Sequence, residues 1–183
     1  SESDLWRGVR GSYHPIINKL AKDPALQVVD VFPEMLVVEC RQLQDRVAPN
    51  ETRSIESWQV QAEWLGSGVG FCLVALRDGR PLAFVYAIRH GTFAYYGYGK
   101  TAEPNAHHTL VWALIKRLKT DGVAWFELGW QGEARDEKGR GVEMFKRGVG
   151  GVNVPVSMSG CAGCLDLRAE SREGACVTCG RAW

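Results

Sequence analysis

A single mixed α/β domain followed by a small cysteine-rich unit is the fold this sequence predicts. Three features carry that reading: β-rich runs joined by Asp78-Gly79 and His90-Gly91, helical stripes on either side of them, and four cysteines paired within the last 23 positions. At 183 residues the chain is long enough for one well-buried core and too short for two ordinary domains. The expected organisation is an α/β (α+β) domain over 1–158, built on a mixed, mostly antiparallel sheet, and a zinc-binding unit over 159–183.

The elements follow in chain order. Ser12 suits the N-cap of a short helix whose first turn tolerates Pro15, with Ile16, Ile17 and Leu20 on one side and Pro24 as its stop. Leu26 to Val31 is a short strand. Pro33 opens a helix whose Leu36, Cys40, Leu43 and Val47 recur at spacings of 4, 3 and 4, until Pro49 and Asn50 end it. Trp58, Ala62 and Leu65 mark a further helix, broken by Gly66, Gly68 and Gly70. Phe71 to Arg77, Leu82 to Arg89 and Thr92 to Tyr98 then form an antiparallel meander, since two-residue glycine turns between β-rich runs are hairpin signals. A helix over 105–119 carries Leu110, Leu114 and Leu118 on one stripe. The strand Val123 to Leu128 returns after it and is expected to lie parallel to its neighbour. A short helix near Gly141 to Phe145 and a strand over Val152 to Ser159 complete the reading.

Charge excludes some partners. Lys plus Arg number 22 against 21 Asp plus Glu, so no global field attracts nucleic acid or membrane, and a polyanion must be held locally. No apolar run approaches the roughly 20 residues that span a bilayer. The first thirty residues lack a signal pattern, and the expectation is a cytoplasmic protein without a membrane partner.

Cys161-Ala-Gly-Cys164 and Cys176-Val-Thr-Cys179 are two C-x-x-C pairs 11 residues apart. Each pair bends two thiolates toward one ion, and four sulfurs complete the tetrahedral shell of structural zinc. A closed shell leaves no position for substrate, so the metal is expected to staple the unit, and an RNA- or protein-binding role for it stays open. Cys40 and Cys72 lie on apolar faces and read as core.

Several stretches together carry a family likeness: Tyr95-Tyr96-Gly97-Tyr98, Asn105-Ala-His107-His108, Phe126-Glu127-Leu128-Gly129, and Phe145-Lys146-Arg147 before a glycine-rich turn. With Leu5-Trp6-Arg7 to Asn18-Lys19, they resemble the Fem family, whose members are aminoacyl-tRNA-dependent peptidyltransferases with a fold like the GCN5-related N-acetyltransferases. The resemblance covers roughly residues 5 to 155 and implies a GNAT-like domain. Typical Fem enzymes carry two such domains and no terminal zinc knuckle. A single domain is more similar to the small stand-alone transferases of peptidyl-nucleoside antibiotic (pacidamycin-type) assembly, which take alanine from alanyl-tRNA.

The activity this implies is transfer of an amino acid from aminoacyl-tRNA to the amine of a peptide or a carrier-bound peptidyl conjugate. An acyl-CoA-dependent N-acyltransferase is the alternative, and a non-catalytic zinc-ribbon module a further one. Coenzyme A is not expected as cofactor. Its pyrophosphate needs a glycine-rich turn of free N–H groups before the helix, and Gly99-Lys-Thr-Ala-Glu-Pro104-Asn supplies a proline and a carboxylate instead.

An ester attacked by an amine needs orientation and oxyanion stabilisation more than a strong base. The resemblance implies Lys146 as the oxyanion group, although Lys146 and Arg147 equally suit the basic last turn of a helix. Arg135, Lys138, Arg140, Lys146 and Arg147 against three acids suit a few phosphates at the acceptor end of tRNA, or simply an exposed loop. Alternation places Tyr96 and Tyr98 on one strand face and Tyr95 on the other, for stacking an adenine or for the core. Asn105 and His107 open a helix beside the cleft, where His107 is a candidate for proton transfer, or where they are a cap and a surface residue. Glu127 is a candidate to hold the acceptor ammonium or to form a salt bridge. By the resemblance, Arg7 and Arg10 are candidates for an anionic acceptor group and Phe145 for substrate binding, and Trp130 is a candidate lid or core residue.

Overall fold

The computed structural model describes residues 1–51, 53–103, 105–129 and 137–152, the Lys138 side chain excepted. The order is α1 (Glu2–Gly8), α2 (Tyr13–Ala21), β1 (Leu26–Asp30), α3 (Pro33–Met35) running through a π-helical segment (Leu36–Cys40) into α4 (Arg41–Val47), then α5 (Ile55–Gly66). Next come β2 (Gly70–Arg77), β3 (Arg80–His90), β4 (Phe93–Thr101), α6 (Ala106–Thr120), β5 (Trp125–Glu127) and α7 (Glu137–Gly148).

The five strands stand in the order β1-β2-β3-β4-β5. All neighbours are antiparallel except β4 and β5, which the α6 crossover makes parallel. Asp78 and Gly79, at φ 51° and 72°, give the β2–β3 turn the two left-handed residues of type I′. The next turn is Gly91-Thr92, one position past the expected His90-Gly91, because His90 still pairs with Phe93.

Alternation along β2 and β3 divides the core between two sides of the sheet. Cys72, Val74, Phe84 and Tyr86 pack with Val31, Met35, Leu36, Cys40, Leu43, Trp58 and Ala62. Leu73, Ala75, Ala83, Val85 and Ala87 pack on the other side with Leu110, Val111, Leu114 and Leu118 of α6. Trp58 is fully buried, and its ring lies 6.0 Å from that of Tyr98. A third cluster joins Val9, Tyr13 and Ile17 to Trp112, fixing the N-terminal helices against α6.

Helix α1 was not foreseen. It carries no buried residue and forms on a capping box, in which the Ser1 hydroxyl accepts from the Asp4 backbone N–H. β4 runs three residues further than its pattern suggests, β5 is shorter, and α7 extends both ways from Gly141–Phe145. The expected strand over 152–159 and all four paired cysteines fall outside the described residues. No helix among the described residues is long and apolar enough to cross a membrane.

Candidate active site

The site begins where two strands part. β5 pairs only with the start of β4, through Phe93↔Trp125, Ala94↔Phe126 and Tyr95↔Glu127. From Tyr96 onward β4 keeps β3 alone as its partner among the described residues, so a fork opens between β4 and β5. A bulge lies at the same point. Tyr86 faces Tyr98 and Ala87 faces Tyr96, which leaves Gly97 as a surplus residue.

That bulge corrects the sequence reading of the tyrosines. One extra residue inverts the alternation, so Tyr96 packs on the α6 side and Tyr98 on the opposite side with Trp58 and Phe84. The Tyr98 ring carries the Arg53 guanidinium 4.0 Å from its centroid, and burial pushes its phenol well above the usual tyrosine range. Tyr98 belongs to the core on the far face and not to the fork lining around Tyr96.

Around the fork the structure gathers Tyr96, His107 and Phe145. The Tyr96 hydroxyl lies 2.8 Å from His107 Nε2. The Phe145 ring stands 5.2 Å from that of His107, 5.1 Å from that of His108 and 6.4 Å from that of Tyr13. Space for the pair comes from Gly99, where a Cβ would sit 2.7 Å from the Phe84 carbonyl oxygen, 2.8 Å from the Tyr96 hydroxyl and against the His107 ring. Burial, helped by His108 and Lys100, pushes the His107 imidazole down to about 4, so it is neutral at physiological pH.

Lys146, in the last turn of α7, is half-buried and reaches the end of β5. Its Nζ and the Tyr95 hydroxyl lie 3.5 Å and 3.1 Å from the point a Cβ on Gly129 would occupy, and Gly129 holds the left-handed φ of 79°. Burial lowers the Lys146 ammonium from its ordinary value, while the Glu127 carboxylate opposes that and favours the charged form. Glu127 itself ends β5 on an exposed position.

Other expected site residues stand apart. Arg7 pairs with Asp4 on the surface, and Arg147 pairs with Glu143. Arg10 lies 5.7 Å from the Tyr13 ring centroid, and its backbone N–H donates to the Gly148 carbonyl at 2.8 Å. Asn105 caps α6 in the left-handed conformation, φ 73°, without a side-chain bond to the helix. Trp130 and Arg135 lie outside the described residues, as does the Lys138 side chain.

In the turn from β4 into α6 three backbone N–H groups are bonded to carbonyls, one of them on β3. Ala102 N–H donates to Leu82 at 2.7 Å, Ala106 N–H to Glu103 at 3.4 Å and His108 N–H to Asn105 at 3.1 Å. Arg77 holds the Glu103 carboxylate and also binds Asp23 at 3.0 Å. Sequence reasoning saw the Glu103 carboxylate but not the Arg77 that pins it from 26 residues away. It also missed Tyr13, whose hydroxyl donates to the Met144 carbonyl at 3.3 Å, and whose ring would be struck by any Cβ on Gly148. Gly99, read from sequence as part of the turn, lies inside β4, where a glycine marks a close approach. No cluster of metal-ligating side chains occurs among the described residues.

Residues 27–147 match the model of the acetyltransferase (GNAT) domain. No curated protein sequence matches the chain significantly. Among solved structures, FemX superposes with a TM-score of 0.67 at 13% identity, covering 82% of this chain and 56% of its own, so the chain spans little more than half of FemX. The aminoglycoside N-acetyltransferase AAC(6')-Iy in complex with CoA gives 0.57 at 9% identity, covering 74% and 93%. The aminoglycoside acetyltransferase meta-AAC0020, from an uncultured soil metagenomic sample and in complex with sisomicin, gives 0.58 at 13% identity, covering 76% and 97%.

Proposed function

The chain belongs to the acetyltransferase (GNAT) domain family, and within it we propose an aminoacyltransferase that moves an amino acid from aminoacyl-tRNA to the amine of a peptide or peptidyl conjugate. One observation carries the choice of donor. In the turn into α6 the N–H groups of Ala102, Ala106 and His108 are bonded to the carbonyls of Leu82, Glu103 and Asn105, and the Arg77-bound carboxylate of Glu103 adds negative charge to a turn that a coenzyme pyrophosphate would need as a donor. The Fem-like run around Phe145-Lys146 supports the same reading.

The acceptor amine attacks the ester carbonyl carbon. A C–N bond forms, the C–O bond to the terminal ribose breaks, and the amine proton leaves with the ribose oxygen. Charge develops on the carbonyl oxygen in between. Lys146 is the group proposed to meet it, with Glu127 keeping the ammonium charged. The two C-x-x-C pairs are proposed to hold one structural zinc.

The test is transfer of radiolabelled amino acids from a mixed aminoacyl-tRNA pool to a panel of peptide amines. Lys146→Ala is expected to lower kcat about 10²–10³-fold. Absence of transfer, or an unchanged Lys146→Ala, overturns the reading. The acyl-CoA alternative is favoured by the CoA-bound acetyltransferase among the structural neighbours. Calorimetric titration with acetyl-CoA decides it: micromolar binding supports the alternative.

A further inference from the structure

The sheet face turned away from α6 is uncovered at its β4–β5 corner. Phe93 and Tyr95 stand two apart on β4, and Trp125 lies directly across from Phe93 on β5. Ala94 and Phe126 pack on the α6 side, so alternation sends these three aromatic side chains to the opposite face. Packing from helices α3 to α5 on that face reaches Ile88, the partner of Tyr95, and Ile88 is only partly buried. Beyond it Phe93, Tyr95 and Trp125 are 40%, 41% and 64% exposed. A single exposed aromatic needs no account, but three in register on paired strands mark a contact surface.

What that surface fits follows from its chemistry and from where it leads. Aromatic residues two apart on a strand, with a third on the neighbouring strand, stand about 5–7 Å from one another. Sheets stack the unpaired bases of RNA on this arrangement. One end of the stripe is the Lys146 site, since the Tyr95 hydroxyl and Lys146 Nζ lie 3.1 Å and 3.5 Å from the same point beside Gly129. Across from Tyr95, the Glu127 carboxylate supports the Lys146 charge. The other end is the β3–β4 turn, where Arg89 Nε donates to the Gly91 carbonyl at 2.8 Å. Arg89 forms no ion pair among the described residues, which leaves its charge for a phosphate.

We propose that Phe93, Tyr95 and Trp125 form a stacking platform for the unpaired 3′-terminal bases of tRNA, with the aminoacylated end at Lys146 and a preceding phosphate at Arg89. This rests on the aminoacyl-transfer reading for the identity of the nucleic acid. A small platform suits a chain whose 22 basic residues are balanced by 21 acidic ones, with no broad field to hold a duplex. Tyr95, not Tyr96 or Tyr98, is then the strand tyrosine that meets a base. The platform holds the donor equally before and during reaction, so its loss raises KM and leaves kcat within about twofold.

Fluorescence anisotropy tests it on the intact protein with two probes, deacylated tRNA and the same tRNA trimmed of its unpaired 3′ end. Trp125→Ala and Phe93→Ala are each expected to weaken binding of whole tRNA about 5- to 100-fold and to leave the trimmed tRNA within about twofold. Arg89→Gln should lower the slope of log affinity against log salt by about 0.7. Phe32→Ala is the control, an exposed aromatic beside the opposite edge strand β1, and should change neither affinity. Unchanged affinity in Trp125→Ala, equal loss on both probes, or a parent protein that binds neither overturns the proposal. Sedimentation supplies a further check: a parent dimer that Trp125→Ala turns into a monomer, with RNA affinity unchanged, would assign the surface to a second copy of the chain and also overturn it. The transferase reading fails separately. Trp125-dependent binding of whole tRNA without transfer keeps the platform and removes the reaction, whereas transfer with an unchanged KM in Trp125→Ala keeps the reaction and removes the platform.

Discussion

Replacing Gly99 by alanine tests the fork at its tightest point. The new methyl carbon would stand 2.7 Å from the Phe84 carbonyl oxygen, 2.8 Å from the Tyr96 hydroxyl and against the His107 ring. The side chains can retreat; the carbonyl belongs to the β3 backbone and cannot move without straining the sheet. Overpacking of this kind costs about 1–3 kcal/mol. Displacing His107 also breaks its bond to Tyr96, worth about 1 kcal/mol net. The total is about 2–4 kcal/mol, and at roughly 2–4 °C per kcal/mol for a chain of this size Tm falls by about 4–16 °C. Gly11→Ala is the control, because its Cβ meets nothing within 4 Å. Thermal unfolding followed by circular dichroism compares the two. Equal Tm values in the two variants would mean that the space beside Gly99 is not what holds Tyr96 and His107 together.

Other outcomes follow from the same geometry. His107 is neutral when folded, with its titration pushed down to about 4, whereas the unfolded residue titrates near its reference value of about 6.5. The unfolded state therefore binds the extra proton between these limits. Stability contributed by the buried neutral ring is full above about pH 6.5 and falls by about 3 kcal/mol as pH drops to about 4. Urea midpoints at pH 7 and pH 4.5 should converge in His107→Gln relative to the parent; an unchanged gap would locate the acid sensitivity elsewhere. Zinc measured by plasma mass spectrometry is expected at one ion per chain and should be lost in a Cys161→Ser, Cys164→Ser variant. A metal-free parent protein would refute the four-sulfur site.

Much of the architecture was legible because local and tertiary preferences agree. The stripe Leu36, Cys40 and Leu43 is buried, and Val47 packs at its edge. The stripe Leu110, Leu114 and Leu118 is buried against the other side of the sheet. Asp78-Gly79 could only make its turn with two left-handed residues, and it does. The parallel strand followed from the crossover helix. Helix α1 was silent because it buries nothing, leaving no apolar period to read. α7 was underestimated for a related reason: Gly139 and Gly141 weaken its local preference, and what supports it is the packing of Phe145 and Val149. The faces of Tyr96 and Tyr98 were misread because a bulge is a property of the pair of strands, and only Gly97 hints at it in the chain. The Arg77–Glu103 pairing was invisible in the same way, since no short window of sequence contains both.

The surplus residue at Gly97 separates two tasks that a regular strand would force together. Upstream of it, the side chains answer to the cleft; downstream, Tyr98 answers to Trp58 and Phe84. Alterations at Tyr96 can thus retune what enters the cleft without unsettling the hydrophobic anchor two positions away. Drawing Gly97 into regular pairing would return both tyrosines to one face and set each task against the other.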